Sequence, residues 1–158
     1  MFYDSQARLK SGAALQLPFN PFKALVAPRP IGWISTLSPD GHVNLAPYSY
    51  FQAVADSPDI VMFSATPELE IQSRSQGVGF GARRKHSELN AQSSGEFVCN
   101  IVAADQAKLM NATSAHLPAQ VSESEQAGIV MAPSNKLKTP RVAACPAAIE
   151  CIFLESRP

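Results

Sequence analysis

The sequence predicts a mainly β protein with flanking helices, built as a small barrel whose rim can hold a ligand. Three observations point there. Thirteen Pro and eight Gly among 158 residues break the chain too often for a helical bundle and favour β-rich or α+β architecture. The run Pro28 to Phe51, PRPIGWISTLSPDGHVNLAPYSYF, sets two strand-like segments on either side of Ser38-Pro39-Asp40-Gly41. That turn is a hairpin signal, because Pro presets φ and Gly accepts φ > 0. The second segment carries Pro47, which has no N–H for a sheet ladder and so belongs at a sheet edge or bulge.

The elements follow in order. Met1 to Leu17 shows no strong period. Asn20 and Pro21 read as the N-cap and first position of a short helix over Phe22 to Val26. Pro28 and Pro30 end it, because the residue before each Pro is pushed out of the helical region. Ile31 to Leu37 and Asn44 to Ser49 form the hairpin. Gln52 to Asp56 continues extended, Ser57-Pro58-Asp59 turns, and Ile60 to Phe63 reads as a short buried strand ending in Ser64-Ala65-Thr66. Thr66 to Arg84, with Gly77, Gly79 and Gly81, reads as a long flexible connection, of a length that is uncommon and often functional. Its G-x-G-x-G lacks the strand–turn–helix context of the dinucleotide fingerprint. Arg83 to Ser87 leads into a helix through Ser93, stopped by Gly95. Glu96 to Ala103 is the clearest strand, with Phe97, Val98, Ile101 and Val102 as β-formers. Helices over Ala104–Asn111 and Ser122–Ala127 precede a last strand, Ile149 to Leu154.

Length fits one domain over residues 1–158, which can bury roughly 68–70% of the unfolded chain's surface. Zero net charge and only 16% charged residues speak against a nucleic-acid partner, which calls for a basic excess. Met1 to Lys10 is polar and unlike a signal peptide, and no window approaches the ~20 apolar residues of a membrane helix. Cys99, Cys145 and Cys151 contain no C-x-x-C pair. They read as small buried residues in a reduced, cytoplasmic setting.

Arg83, Arg84, Lys85 and Ser87 cluster just before a helix. Free N–H groups and the positive dipole end favour a phosphate there, and the cations add charge-assisted bonds; the plainer alternative is a solvated basic helix start. Ser64 and Thr66, at a strand end, can add hydroxyls. Trp33, Tyr48, Tyr50 and Phe51 flank the hairpin and either wall a flat ligand or fill the core. His42, His86 and His116 are scattered, with no metal-ligand spacing. There is no G-x-S-x-G, Glu68 and Glu70 read as solvated, and no general acid/base pair stands out.

Three segments carry a family resemblance: PRPIGWISTLSPDG with NLAPYSYF; Lys85-His86-Ser87 leading into SSGEFVCNIV; and Met110 to Ser114, then Ala127-Gly128-Ile129 and TPRVAACPAAIEC. In this order they resemble the flavin reductase-like family of FMN-binding split barrels, in its flavoredoxin-like branch, over residues 18 to 155. The resemblance implies a split β-barrel that forms a homodimer with noncovalent FMN near the subunit interface. It places Ala46, Pro47, Tyr48, Ser49 and Tyr50 along the flavin ring, with backbone groups bonding its polar edge. Ser64, Ala65 and Thr66, together with Lys85 and Ser87, match positions that hold the ribityl chain and phosphate, and Thr36 a position near the flavin; Arg84 joins the cofactor-binding set from the cation cluster before the helix. No catalytic acid or base is required. The activity it implies is transfer of electrons from NAD(P)H to bound flavin and on to a small-molecule or protein acceptor. The alternatives are a flavin-binding electron carrier without nicotinamide activity, or a degenerate barrel acting as an interaction module. The family pattern continues past the last strand found here, so a domain truncated at its C-terminus is expected.

Overall fold

The structure, a computed structural model, describes residues 21–66, 68–74, 77–115, 117–118 and 120–157; the expected Asn20 cap and the segment Met1 to Leu17 lie outside them. Helix α1 (Pro21–Leu25) leads to the hairpin of β1 (Gly32–Leu37) and β2 (Val43–Tyr48). The turn chemistry works as the sequence requires. Gly41 takes φ 84°, its N–H donates to the Ser38 carbonyl at 3.0 Å, and the Ser38 N–H donates to the His42 carbonyl at 2.9 Å. This pins an unbroken register from Gly32 opposite Tyr48 to Leu37 opposite Val43, with Pro47 opposite Trp33.

Strands β3 (Phe51–Asp56) and β4 (Asp59–Phe63) form a separate ribbon with a register shift between Ala53 and Ala55. Here the expectation of a buried strand fails. A two-stranded ribbon covers the core with one face only, so Phe51, Val61 and Phe63 pack inward while Val54 and Met62 stay about half exposed. The supposed flexible connection after Thr66 is a second ribbon, β5 (Glu68–Arg74) with β6 (Gly77–Arg83), pairing Leu69 with Ala82 and Ile71 with Phe80. Three glycines, unfavourable in strands, hid a segment whose backbone pairs in register with β5.

Helix α2 (His86–Ser94) ends on Gly95 at φ 75°, whose N–H donates to the Ala91 carbonyl. Strand β7 (Glu96–Ile101) follows. A 3-10 turn (Ala104–Gln106), α3 (Ala107–Ala112) and α4 (Glu123–Gln126) precede the short pair β8 (Met131–Ala132) and β9 (Arg141–Val142), and then β10 (Ala147–Ile152). The main sheet is antiparallel, in the order β10-β7-β1-β2. Its centre, β1, sends alternate side chains to opposite faces. Trp33 joins Leu45, Val142 and Cys145 on one side; Ile34 joins Ala91, Phe97 and Cys99 on the other. Asn100 ties the first cluster together: its amide donates to the Trp33 carbonyl at 2.9 Å and to Ser35 Oγ at 3.2 Å, while its oxygen accepts the Val142 N–H at 2.7 Å. No helix among the described residues is long and apolar enough to cross a membrane.

Candidate functional site

A cleft of about 620 Å³ runs along β2. Ala46, Pro47 and Tyr48 form one wall, Arg84 to Ser87 at the start of α2 another, and the stretch after α3, with Thr113, Ser114 and Gln120, a third; Asn44 and Glu123 also line it. The hairpin and α2 are latched together beside this opening. Asn44 Nδ2 donates to the buried Ser87 Oγ at 2.7 Å. One layer deeper, Asn90 Nδ2 donates to Thr36 Oγ1 at 3.3 Å. Because Asn44 and Thr36 face each other across the hairpin, two amide–hydroxyl bonds set where the helix begins relative to β2.

The charges at that helix start are already engaged. The Arg84 guanidinium reaches Glu88 Oε1 from Nη2 at 2.6 Å and from Nε at 2.9 Å, and Nη2 also donates to Gln92 Oε1 at 2.9 Å. The Arg84 bond holds the Glu88 carboxyl below the usual carboxylate range. Lys85 is the extended N-cap residue of α2, and its carbonyl accepts the N–H groups of Glu88 and Leu89.

Glu123 is buried, and Oε2 accepts the Leu45 N–H at 3.0 Å. Burial pushes its carboxyl up; the N–H groups of Leu45 and of Glu123 itself, and the nearby His86, pull it back. Leu45 thus turns its N–H outward from the hairpin. In an antiparallel pair outward groups recur at every second residue, so Pro47 also faces outward and offers only its carbonyl oxygen. Burial raises the Tyr48 phenol; a bond with the Ser87 hydroxyl opposes the rise, and the charges of Glu123 and Glu88 add to it.

Six of the expected site residues, Ala46, Pro47, Tyr48, Arg84, Lys85 and Ser87, share this cleft. The others lie apart from its walls. Thr36 is fully buried beneath α2. Ser49 and Tyr50 form the bend into β3, and the Ser64 N–H donates to the Tyr50 carbonyl at 2.8 Å. That bond joins the bend to Ser64-Ala65-Thr66. The Tyr50 ring lies 5.7 Å from the Arg29 guanidinium. Trp33 is core, its Nε1 donating to Thr113 Oγ1 at 2.9 Å. Asn44, His86, Thr113 and Ser114 fall inside the segments that carry the resemblance but were given no site role from sequence, and Glu123 lies outside those segments; only the tertiary fold brings them together at β2.

The flavin reductase like domain family model matches residues 25–158. A protein of Aquifex aeolicus is 35% identical over 127 residues, covering 80% of this chain and 59% of its own length. The chain spans 51–59% of the length of such curated relatives. Nitrilotriacetate monooxygenase component B from Bacillus cereus superposes with a TM-score of 0.72 at 28% identity, covering 89% of this chain and 69% of that one. Two more distant structures share the fold alone. One is a split barrel domain from Shewanella frigidimarina, with TM-score 0.66, 18% identity and 80% and 56% coverage of this chain and that one. The other is flavoredoxin of Desulfovibrio vulgaris, with TM-score 0.66, 14% identity and 94% and 68% coverage. The open, mostly β architecture is therefore a split barrel, and the chain belongs to the flavin reductase like domain family.

Proposed function

We propose that the chain is an FMN-binding oxidoreductase that takes electrons from NAD(P)H onto bound flavin and passes them to a small-molecule or protein acceptor. One observation carries the reading: Arg84, Lys85 and Ser87 share a single cleft with Ala46–Tyr48, in a chain of the flavin reductase like family. The cleft volume falls in the roughly 300–1,000 Å³ range of small-molecule sites. Two cations, a hydroxyl and a helix start are a donor set that fits a phosphate.

Bound FMN supplies the redox chemistry, and the protein supplies position and electrostatics. Arg84 and Lys85 offset the phosphate charge. Ser87, fixed by Asn44, orients it. Ala46, Pro47 and Tyr48 would line the ring, Ala46 and Tyr48 excluding water and the Pro47 carbonyl offering an acceptor to its polar edge. Thr36 acts from the layer below by setting the α2–hairpin latch. Ser49, Tyr50, Ser64, Ala65 and Thr66, outside the cleft walls and joined by the Ser64–Tyr50 bond, would hold the ribityl chain only where it extends past the cleft. The Bacillus cereus neighbour is named as a monooxygenase component, which supports a protein acceptor. A homodimer in a cytoplasmic setting belongs to the same proposal.

The test is a visible spectrum of the purified protein with an FMN titration, followed by rapid mixing with NADH and NADPH. A colourless protein that does not bind FMN overturns the flavin reading. Bound FMN that neither nucleotide bleaches overturns the nicotinamide step and favours an electron carrier.

A further inference from the structure

Arg84, one of the two cations lining the proposed phosphate site, is not simply waiting for a ligand. Arg84 gives two donors to one carboxylate oxygen, Glu88 Oε1, and a further bond to Gln92, one turn along α2. The same Oε1 accepts the Ser156 hydroxyl at 2.9 Å, so the carboxylate is held from the segment after β10 as well. Glu88 also sits in the first turn of α2, where its charge offsets the positive dipole end that an anion would use. Both effects act against a ligand phosphate: the guanidinium is occupied, and the potential at the helix start is lowered.

We propose that Glu88 is a positioning residue that competes with the ligand phosphate for Arg84, so that anion affinity at this cleft is set by the difference between the two partners. Glu88 holds the guanidinium along the flank of α2 until a phosphate displaces it. The exchange swaps one charge-assisted pair for another, which keeps binding reversible. The inference rests on the FMN reading for the identity of the ligand, but not for the competition itself.

The pair is partly exposed, with side-chain exposures of 43% and 23%. Such pairs hold roughly two- to fivefold in an equilibrium constant. The test titrates wild type, Glu88→Gln, Glu88→Asp, Arg84→Ala and the Arg84→Ala/Glu88→Gln double variant with FMN, with riboflavin and with inorganic pyrophosphate. Glu88→Gln should bind FMN about two- to fivefold more tightly and leave riboflavin, which has no phosphate, unchanged. Most of the gain should vanish in the Arg84→Ala background. Glu88→Asp shortens the reach to Arg84 but keeps the charge on the helix. It should show a smaller gain, and it decides the matter if Glu88→Gln does not fold. FMN binding that is equal or weaker in the folded variants, or riboflavin affinity that moves in parallel, overturns the competition. Should wild type bind no FMN, the flavin reading fails separately. Pyrophosphate then decides the inference: tighter binding by Glu88→Gln upholds it, and no gain overturns it.

Discussion

The Glu123 carboxylate accepts the backbone N–H of Leu45 at 3.0 Å, so a buried acid from α4 closes the outer side of strand β2. Burial raises the Glu123 carboxyl above its unfolded value, so the native state binds its proton more tightly than the unfolded chain. The contribution of this group to stability is therefore fully present below the ordinary carboxylate value and declines as pH rises through the raised one. Glu123→Gln keeps an oxygen for Leu45 and removes the titration. Denaturant unfolding across pH should show wild type losing stability relative to Glu123→Gln as pH climbs above about 4.5. A difference that stays flat with pH would mean that Glu123 does not titrate in this way.

Asn100 satisfies groups on β1 and β9 from a fully buried position on β7. Asn100→Ala strands the Val142 N–H and the Trp33 carbonyl away from water. Equilibrium unfolding should register a loss of about 2–4 kcal/mol. A loss within experimental error would show that these groups find other partners.

Gly32 leaves room for an aromatic ring. A Cβ built there meets Phe51 Cδ2 at 2.7 Å and Cγ at 2.8 Å, and backbone conformation has no part in the requirement. Gly32→Ala should cost about 1–3 kcal/mol through overpacking, and Phe51→Leu in the same chain should recover part of it. Melting temperatures of the single and double variants decide this.

Lys85→Ala should weaken FMN binding more than tenfold, on the order of 1.5–3 kcal/mol for a charge-assisted phosphate contact, and should leave riboflavin binding nearly unchanged. Fluorescence titration with both flavins separates loss of a phosphate contact from general damage. Equal weakening for the two flavins would remove Lys85 from the phosphate site.

Most of the secondary structure was legible because its signals are local. Asp40-Gly41 marks the hairpin, Gly95 and Gly128 stop helices by taking positive φ, and Glu96 to Ile101 is dense in β-formers. The β5–β6 ribbon was hidden because glycine is a poor local cue for a strand, although the pairing with β5 tolerates it. Part of the cleft lining was legible in the same way, as Arg84, Lys85 and Ser87 stand out locally by charge and by their place before a helix. Glu123 was not. Nothing in Ser122-Glu123-Ser124 marks a carboxylate that will be buried against β2, because the Leu45 N–H that holds it lies 78 residues away.

Strand β2 ends the main sheet, yet it is a poor template for another strand. Of its outward-facing donors, the one at Leu45 is taken by Glu123, and the one at position 47 does not exist, because the residue is proline. A peptide or a second copy of the chain that tried to extend the sheet along the cleft would lose consecutive ladder bonds. The mouth of the cleft is thereby closed to ligands that bind by β-augmentation. It remains open to small molecules that need a single carbonyl acceptor. The same proline that weakens the sheet thus disfavours its extension by a further strand along the cleft, and leaves contacts made through side chains unaffected.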